Sequence, residues 1–205
     1  MATKTSIANQ ALGWLGANLI TAFTDDSREA QLITANYPDI RDAVLEEREW
    51  TFASARRSLL PSVTAPLYGY AYKFTIPGDV LRILEVRNDK RARGKNGLDW
   101  RLEGDFILAD SDSLDIRYIY RNDEPASYSP GFVQALAARL AADLAIPIAE
   151  SRALQQDMFG LYQAKLKSAA ALDGMQGKAQ SFNSTRLTEV RGAYGVGGGN
   201  PGPYV

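Results

Sequence analysis

The 205-residue chain contains no cysteine and no histidine. The first absence removes disulfides, thiolate nucleophiles and thiolate metal sites. The second removes the commonest general base and the commonest zinc ligand. Catalysis, if any, has to rest on carboxylates, Lys, Tyr or Ser, and no cofactor is implied. An excess of charge is missing too: 23 Lys and Arg stand against 24 Asp and Glu, a net charge of −1. Neutralising phosphates along nucleic acid needs a clear basic excess. No uninterrupted apolar run approaches bilayer-spanning length. Asn9, Gln10 and Asn18 interrupt what would be a signal-peptide core. The expectation is synthesis and folding in a cytoplasm, without a membrane partner.

What is present is enough to bury a real core, in one domain or two small ones. Thr5 or Ser6 suits the cap of a first helix carrying Ile7, Ala8, Ala11, Leu12 and Leu15, stopped near Gly16. Asp26 followed by Glu29 resembles a capping box for a second helix, with Pro38 as a kink or short break. Residues 70–121 turn to β alternation. Strands are expected near 72–76, at 80–86, and on either side of Glu103-Gly104-Asp105. The last, from Leu114, places Leu114, Ile116, Tyr118 and Tyr120 on one face. They read as one antiparallel sheet of four or five strands, one face buried and one wet. Ser129-Pro130 opens an Ala- and Leu-rich helix expected to end before Pro147, and Ser151 caps a last helix. The chain then becomes glycine-rich. The fold class expected is α+β: a helical bundle (1–60 and 126–174), an inserted antiparallel β domain (61–125) and an extended tail (175–205).

The stretch Glu49-Trp50-Thr51-Phe52-Ala53 is the most informative. On one helix, Ile40, Ala43, Val44, Leu45, Trp50, Phe52, Ala55 and Leu59 fill an arc of roughly 220°, wider than a one-sided surface helix needs. Glu47 and Arg48 fall inside it. Either the helix kinks or restarts near Glu49, or something other than its own core covers part of this surface. Trp50 and Phe52 are thus candidates for a packing joint or an interface.

Candidate chemistry is sparse. Glu46, Glu47 and Glu49 offer a carboxylate pair for glycoside hydrolysis, or a solvated helix face beside Arg41 and Arg48. Asp110-Ser111-Asp112-Ser113-Leu114-Asp115 lacks the Gly and terminal Glu of a calcium loop and reads as a turn. Lys90-Arg91-Ala92-Arg93-Gly94-Lys95 is a solvated basic tip or a contact for phosphates or an acidic partner, through Arg91, Arg93 and Lys95. Arg139 and Asp143 form an i,i+4 pair, within the chain or between copies. Glycines 197–199 lack the strand-then-helix setting of a phosphate loop. Leu187, Val190, Tyr194 and Tyr204 make the tail a candidate for docking on a neighbour by strand addition.

Several of these stretches, taken in order, resemble one family. They are Asn9-Gln10-Ala11-Leu12-Gly13-Trp14-Leu15-Gly16, residues 20–26, Tyr37-Pro38-Asp39-Ile40-Arg41-Asp42, and Glu49-Trp50-Thr51-Phe52-Ala53 with Arg56 and Leu59. Residues 72–79, 104–108, 116–121, 132–147 and 162–170 complete the set, which spans about the first 175 positions. Together they are similar to the tail tubular protein A, or head-to-tail adaptor (gatekeeper), proteins of T7-like short-tailed bacteriophages. Glu49 stands where proline is usual in that family before the tryptophan, and the glycine-rich tail lies outside the stretches that carry the resemblance. The resemblance implies a non-enzymatic virion protein at the portal vertex. It implies a homo-oligomeric ring, typically of twelve copies, between the portal protein and a tail nozzle (tail tubular protein B-like), with transient contact to translocating DNA. The competing readings are a virion-associated, carboxylate-dependent peptidoglycan hydrolase and a nucleic-acid-binding module using the basic loop.

Overall fold

A computed structural model describes residues 1–88 and 98–176. It is an α+β protein of four helices and two small antiparallel sheets. Helix α1 (Lys4–Leu15) is capped by Thr3, two or three residues before the expected Thr5 or Ser6; its side chain accepts from the Ser6 amide while Ser6 reciprocates. Gly16 closes it in the left-handed region at φ 69°. Helix α2 (Arg28–Glu47) is capped by Ser27, which accepts from the Ala30 amide. The expected Asp26 cap is therefore displaced by one residue, and Asp26 receives Gln31 Nε2 at 3.4 Å instead. Pro38 sits inside α2 without breaking it. Its ring faces solvent, where water can satisfy the carbonyl that its missing N–H leaves open.

The over-wide arc resolves into three elements. Helix α2 ends at Glu47, Thr51–Ala53 forms one 3₁₀ turn, and Ser54–Leu59 is strand β1. Ala55 and Leu59 therefore lie on a strand, not on the helix. The indole of Trp50 folds back so that Nε1–H donates to the Val44 carbonyl at 3.1 Å. That carbonyl belongs to the last turn of α2, where four acceptors lack an intrahelical partner.

The remaining strands are β2 (Tyr72–Thr75), β3 (Val80–Arg87), β4 (Trp100–Glu103), β5 (Phe106–Ala109) and β6 (Leu114–Tyr120). They form two three-stranded sheets, β1-β6-β3 and β2-β5-β4, rather than one sheet of four or five. Leu114, Ile116 and Tyr118 of β6 pack with Leu59, Val86, Phe74, Ile107 and Ala109 in a core between the sheets. The opposite face of β6 is wet only in part: Asp115 and Arg117 stay partly exposed, but Ile119 is buried in the helical core, with Leu81 and Leu84 of β3 packed against that core.

Helix α3 (Pro130–Ala149) starts at the Ser129 cap and runs through Pro147, past the expected end. The Pro147 carbonyl accepts from Arg28 Nη2 at 2.6 Å, which ties the α3 end to the α2 start. By length and composition α3 qualifies as a membrane span, which the sequence expectation did not foresee. Here it is a core helix packed on α1, α2 and α4. Helix α4 (Arg152–Gly174) is capped by Ser151.

Gly131 fixes the α3–α4 approach, because a Cβ there would stand 2.8 Å from the Ala169 Cβ and 3.1 Å from its Cα. Gly131→Ala is expected to destabilise by about 1–2 kcal/mol, overpacking outweighing the gain in helix propensity. Gly160→Ala on α4, where nothing lies within 4 Å, is expected to stabilise by up to about 1 kcal/mol. Urea unfolding of the two variants separates these signs.

Candidate functional site

Trp50 is fully buried, at 0% exposure, in the helical core. Its ring meets Phe132 edge-on at 5.0 Å, and Phe52 packs on Phe132 and Tyr128 at 5.0 and 5.6 Å. Polar groups lock the same joint. Asp173, buried in the last turn of α4, accepts from the Thr51 amide at 2.9 Å and from its hydroxyl at 2.8 Å. The Tyr120 hydroxyl donates to the Phe52 carbonyl at 3.1 Å, and the Tyr128 hydroxyl to the Asn122 carbonyl at 2.6 Å. The cluster's carboxylate and both tyrosine hydroxyls are thus engaged with groups of the joint itself. It fixes the angle between helices and sheets.

Arg41, assigned from sequence to a solvated face, is only 5% exposed. Its guanidinium pairs with Asp42 at 2.7 Å and with Asp123, which Lys4 also reaches at 2.8 Å. Asp42 in turn receives Arg121 Nε at 2.7 Å. Beside this network the buried Tyr37 hydroxyl is pushed up to about 12, chiefly by burial and against the pull of Arg41. A buried cation with two carboxylate partners is a structural tie whose disruption leaves an unpaired charge. Periodicity alone could have pointed to it, since Arg41 follows Ile40 on the buried stripe.

Arg139 and Asp143 form their pair within the chain, at 2.9 Å. Arg139 also reaches Glu47 at 3.6 Å and lies over the rings of Phe159 and Tyr162 at 5.7 and 5.4 Å. Glu49 pairs with Arg117 at 3.2 Å. Two of the three glutamates considered for hydrolysis are thus drawn toward different elements, and Glu46 is exposed at the end of α2. In the acidic stretch 110–115, Asp110 accepts from the Ala71 amide and Ser111 donates to the Ser113 carbonyl, both turn-stabilising bonds. Among the described residues no group of three or more acidic side chains is arranged to hold a metal. A shallow depression lined by Phe23, Asp25, Gln31 and Thr34 is open to solvent. Its Asp25 is held below the usual carboxylate range by amide donors from Thr21 and Ala22, a loop-capping role.

The surface feature that sequence reading passed over is the segment 60–72. It contains no charged residue in thirteen positions. Leu60, Val63, Leu67 and Tyr68 are exposed at 83%, 107%, 95% and 83%. The backbone is nevertheless anchored at both ends, by the Ser62 amide to the Lys73 carbonyl at 2.8 Å and by Ala71 to Asp110 at 2.8 Å. Four exposed apolar side chains thus stand on a backbone held at both ends. The turn formers in this stretch drew attention away from its missing charge.

Charge is also unevenly divided. The helical parts, 1–50 and 122–176, hold 8 Lys and Arg against 14 Asp and Glu, whereas the described β part holds 8 of each. Arg91, Arg93, Lys95, Leu187, Val190, Tyr194 and Tyr204 lie outside the described residues. Against known proteins, no family model matches the chain, and no curated sequence matches it significantly.

Proposed function

We propose that the chain is a non-enzymatic structural protein of a virion: a head-to-tail adaptor that forms a ring, of about a dozen copies as in the family it resembles, between a portal and a tail nozzle. The observation that carries this reading is the tethered, uncharged segment 60–72, a surface suited to burial against another protein rather than to chemistry. The ordered sequence resemblance supplies the identity of the partners. The acidic balance of the helical parts suits a conduit that DNA passes without sticking, since tight phosphate binding needs cationic excess. The hydrolase reading is weaker because Glu47 and Glu49 already neutralise arginines on separate elements.

The test is direct imaging. The purified chain mixed with its cognate portal is expected to give a ring stacked coaxially on the portal, visible by electron microscopy. Failure to bind portal or nozzle at micromolar concentrations, together with clearing of peptidoglycan that Glu46→Gln or Glu49→Gln abolishes, would replace the adaptor with the hydrolase.

A further inference from the structure

We propose that the free chain pairs with a second copy of itself along the outer edge of β4, giving a two-fold dimer with one continuous sheet, two copies of β2-β5-β4 joined at β4. This goes beyond the adaptor reading and does not depend on it.

The edge is open on one side of its sheet and closed on the other. Next to β2, Pro61 bridges to Phe74 and the Ser62 amide bonds the Lys73 carbonyl. All four residues of β4 are exposed, and among the described residues β4 pairs with β5 alone. Glu103 and Phe106 flank the two-residue turn at Gly104, where φ is 56°. A two-residue hairpin closes with a hydrogen-bonded flanking pair, so alternation turns the main-chain N–H and C=O of Leu102 and Trp100 outward. The side chains of these two residues lie on the face shared with Ile107 and Ala109, their register partners, which are buried between the sheets. Leu102 and Trp100 are 53% and 39% exposed. The inter-sheet core therefore continues to the edge and, among the described residues, stops there uncovered.

The order of charges selects the occupant. Opposite residues in an antiparallel pair share a face, so the centre of a self-pairing must fall on a residue, not between two. Centring on Arg101 would oppose like charges and use main-chain groups already committed to β5. Centring on Leu102 sets Leu102 against the second copy's Leu102, whose outward-pointing N–H and C=O groups then exchange two hydrogen bonds, while Trp100 falls opposite the turn at Gly104. It also sets Arg101 against the second copy's Glu103, twice by symmetry. Within one chain Arg101 and Glu103 already lie 3.6 Å apart on the outer face, both more than half exposed. The strand is self-complementary, as a two-fold interface requires.

Sedimentation velocity and light scattering on the full chain, from about 1 to 100 µM, test this, with circular dichroism to verify folding. A monomer–dimer equilibrium is expected. Arg101→Glu and Glu103→Arg should each raise the dimer dissociation constant at least about tenfold by opposing like charges. The double variant should restore it, and Leu102→Lys should abolish the dimer. A monomer across the whole range, a dimer indifferent to these substitutions, or larger assemblies of the free chain unaffected by them would overturn the proposal. Portal binding is read separately, so either result stands without the other.

Discussion

Trp50→Ala is expected to cost about 3–5 kcal/mol of folding stability, close to the whole margin of many domains of this size. The indole is fully buried against Phe132 and Phe52, and truncation leaves a cavity where helices and sheets meet. It also removes the donor to the Val44 carbonyl, reopening an acceptor at the end of α2. Trp50→Phe keeps most of the apolar volume and loses the N–H, so a smaller cost of about 1–2 kcal/mol is expected. Denaturant unfolding followed by circular dichroism gives both numbers. Equal, small losses in the two variants would mean that this residue is not the keystone of the joint.

The second large effect concerns association. Replacing Leu60, Val63, Leu67 and Tyr68 together by serine is expected to weaken binding to the portal or nozzle by at least about a hundredfold, because buried apolar anchors carry most interface energy. The same change should leave the melting temperature nearly unmoved, since these side chains are solvent-exposed in the single chain. Binding measured by interferometry on immobilised portal or nozzle, beside a thermal melt, separates the two quantities. Unaltered binding to both partners would remove the segment from the assembly surface. A large fall in melting temperature would instead make it part of the folded core.

Much of the fold is legible in local chemistry. Ser129-Pro130 and Ser151 act as caps, Gly16 ends α1, and Glu103-Gly104-Asp105 marks its hairpin. Elements fixed by distant partners are not legible in the same way. Strand β1 reads Ser54-Ala55-Arg56-Arg57-Ser58-Leu59, with no period-two apolar pattern. It is a strand because it pairs with β6, from Ser54 with Ile119 to Leu59 with Leu114. The division into two sheets is hidden for a related reason. Alternation along β6 separates its faces, yet only in three dimensions does Ile119 on the second face turn out to be buried. Pro147 misleads because propriety of a helix end depends on which carbonyls can find other partners. In the candidate site, Trp50 and Phe52 stand out by composition alone and Arg41 by its place on the buried stripe of α2, whereas Asp173 becomes visible only through the groups it satisfies.

Strand β6 has a mechanical consequence. One of its faces belongs to the core between the sheets, and Ile119 on the other belongs to the helical core. A single ribbon thus serves as the party wall of two rooms, and neither can be remodelled without moving the other. Swinging the distal sheet relative to the helices would strip Ile119 from one side or Leu114 and Ile116 from the other.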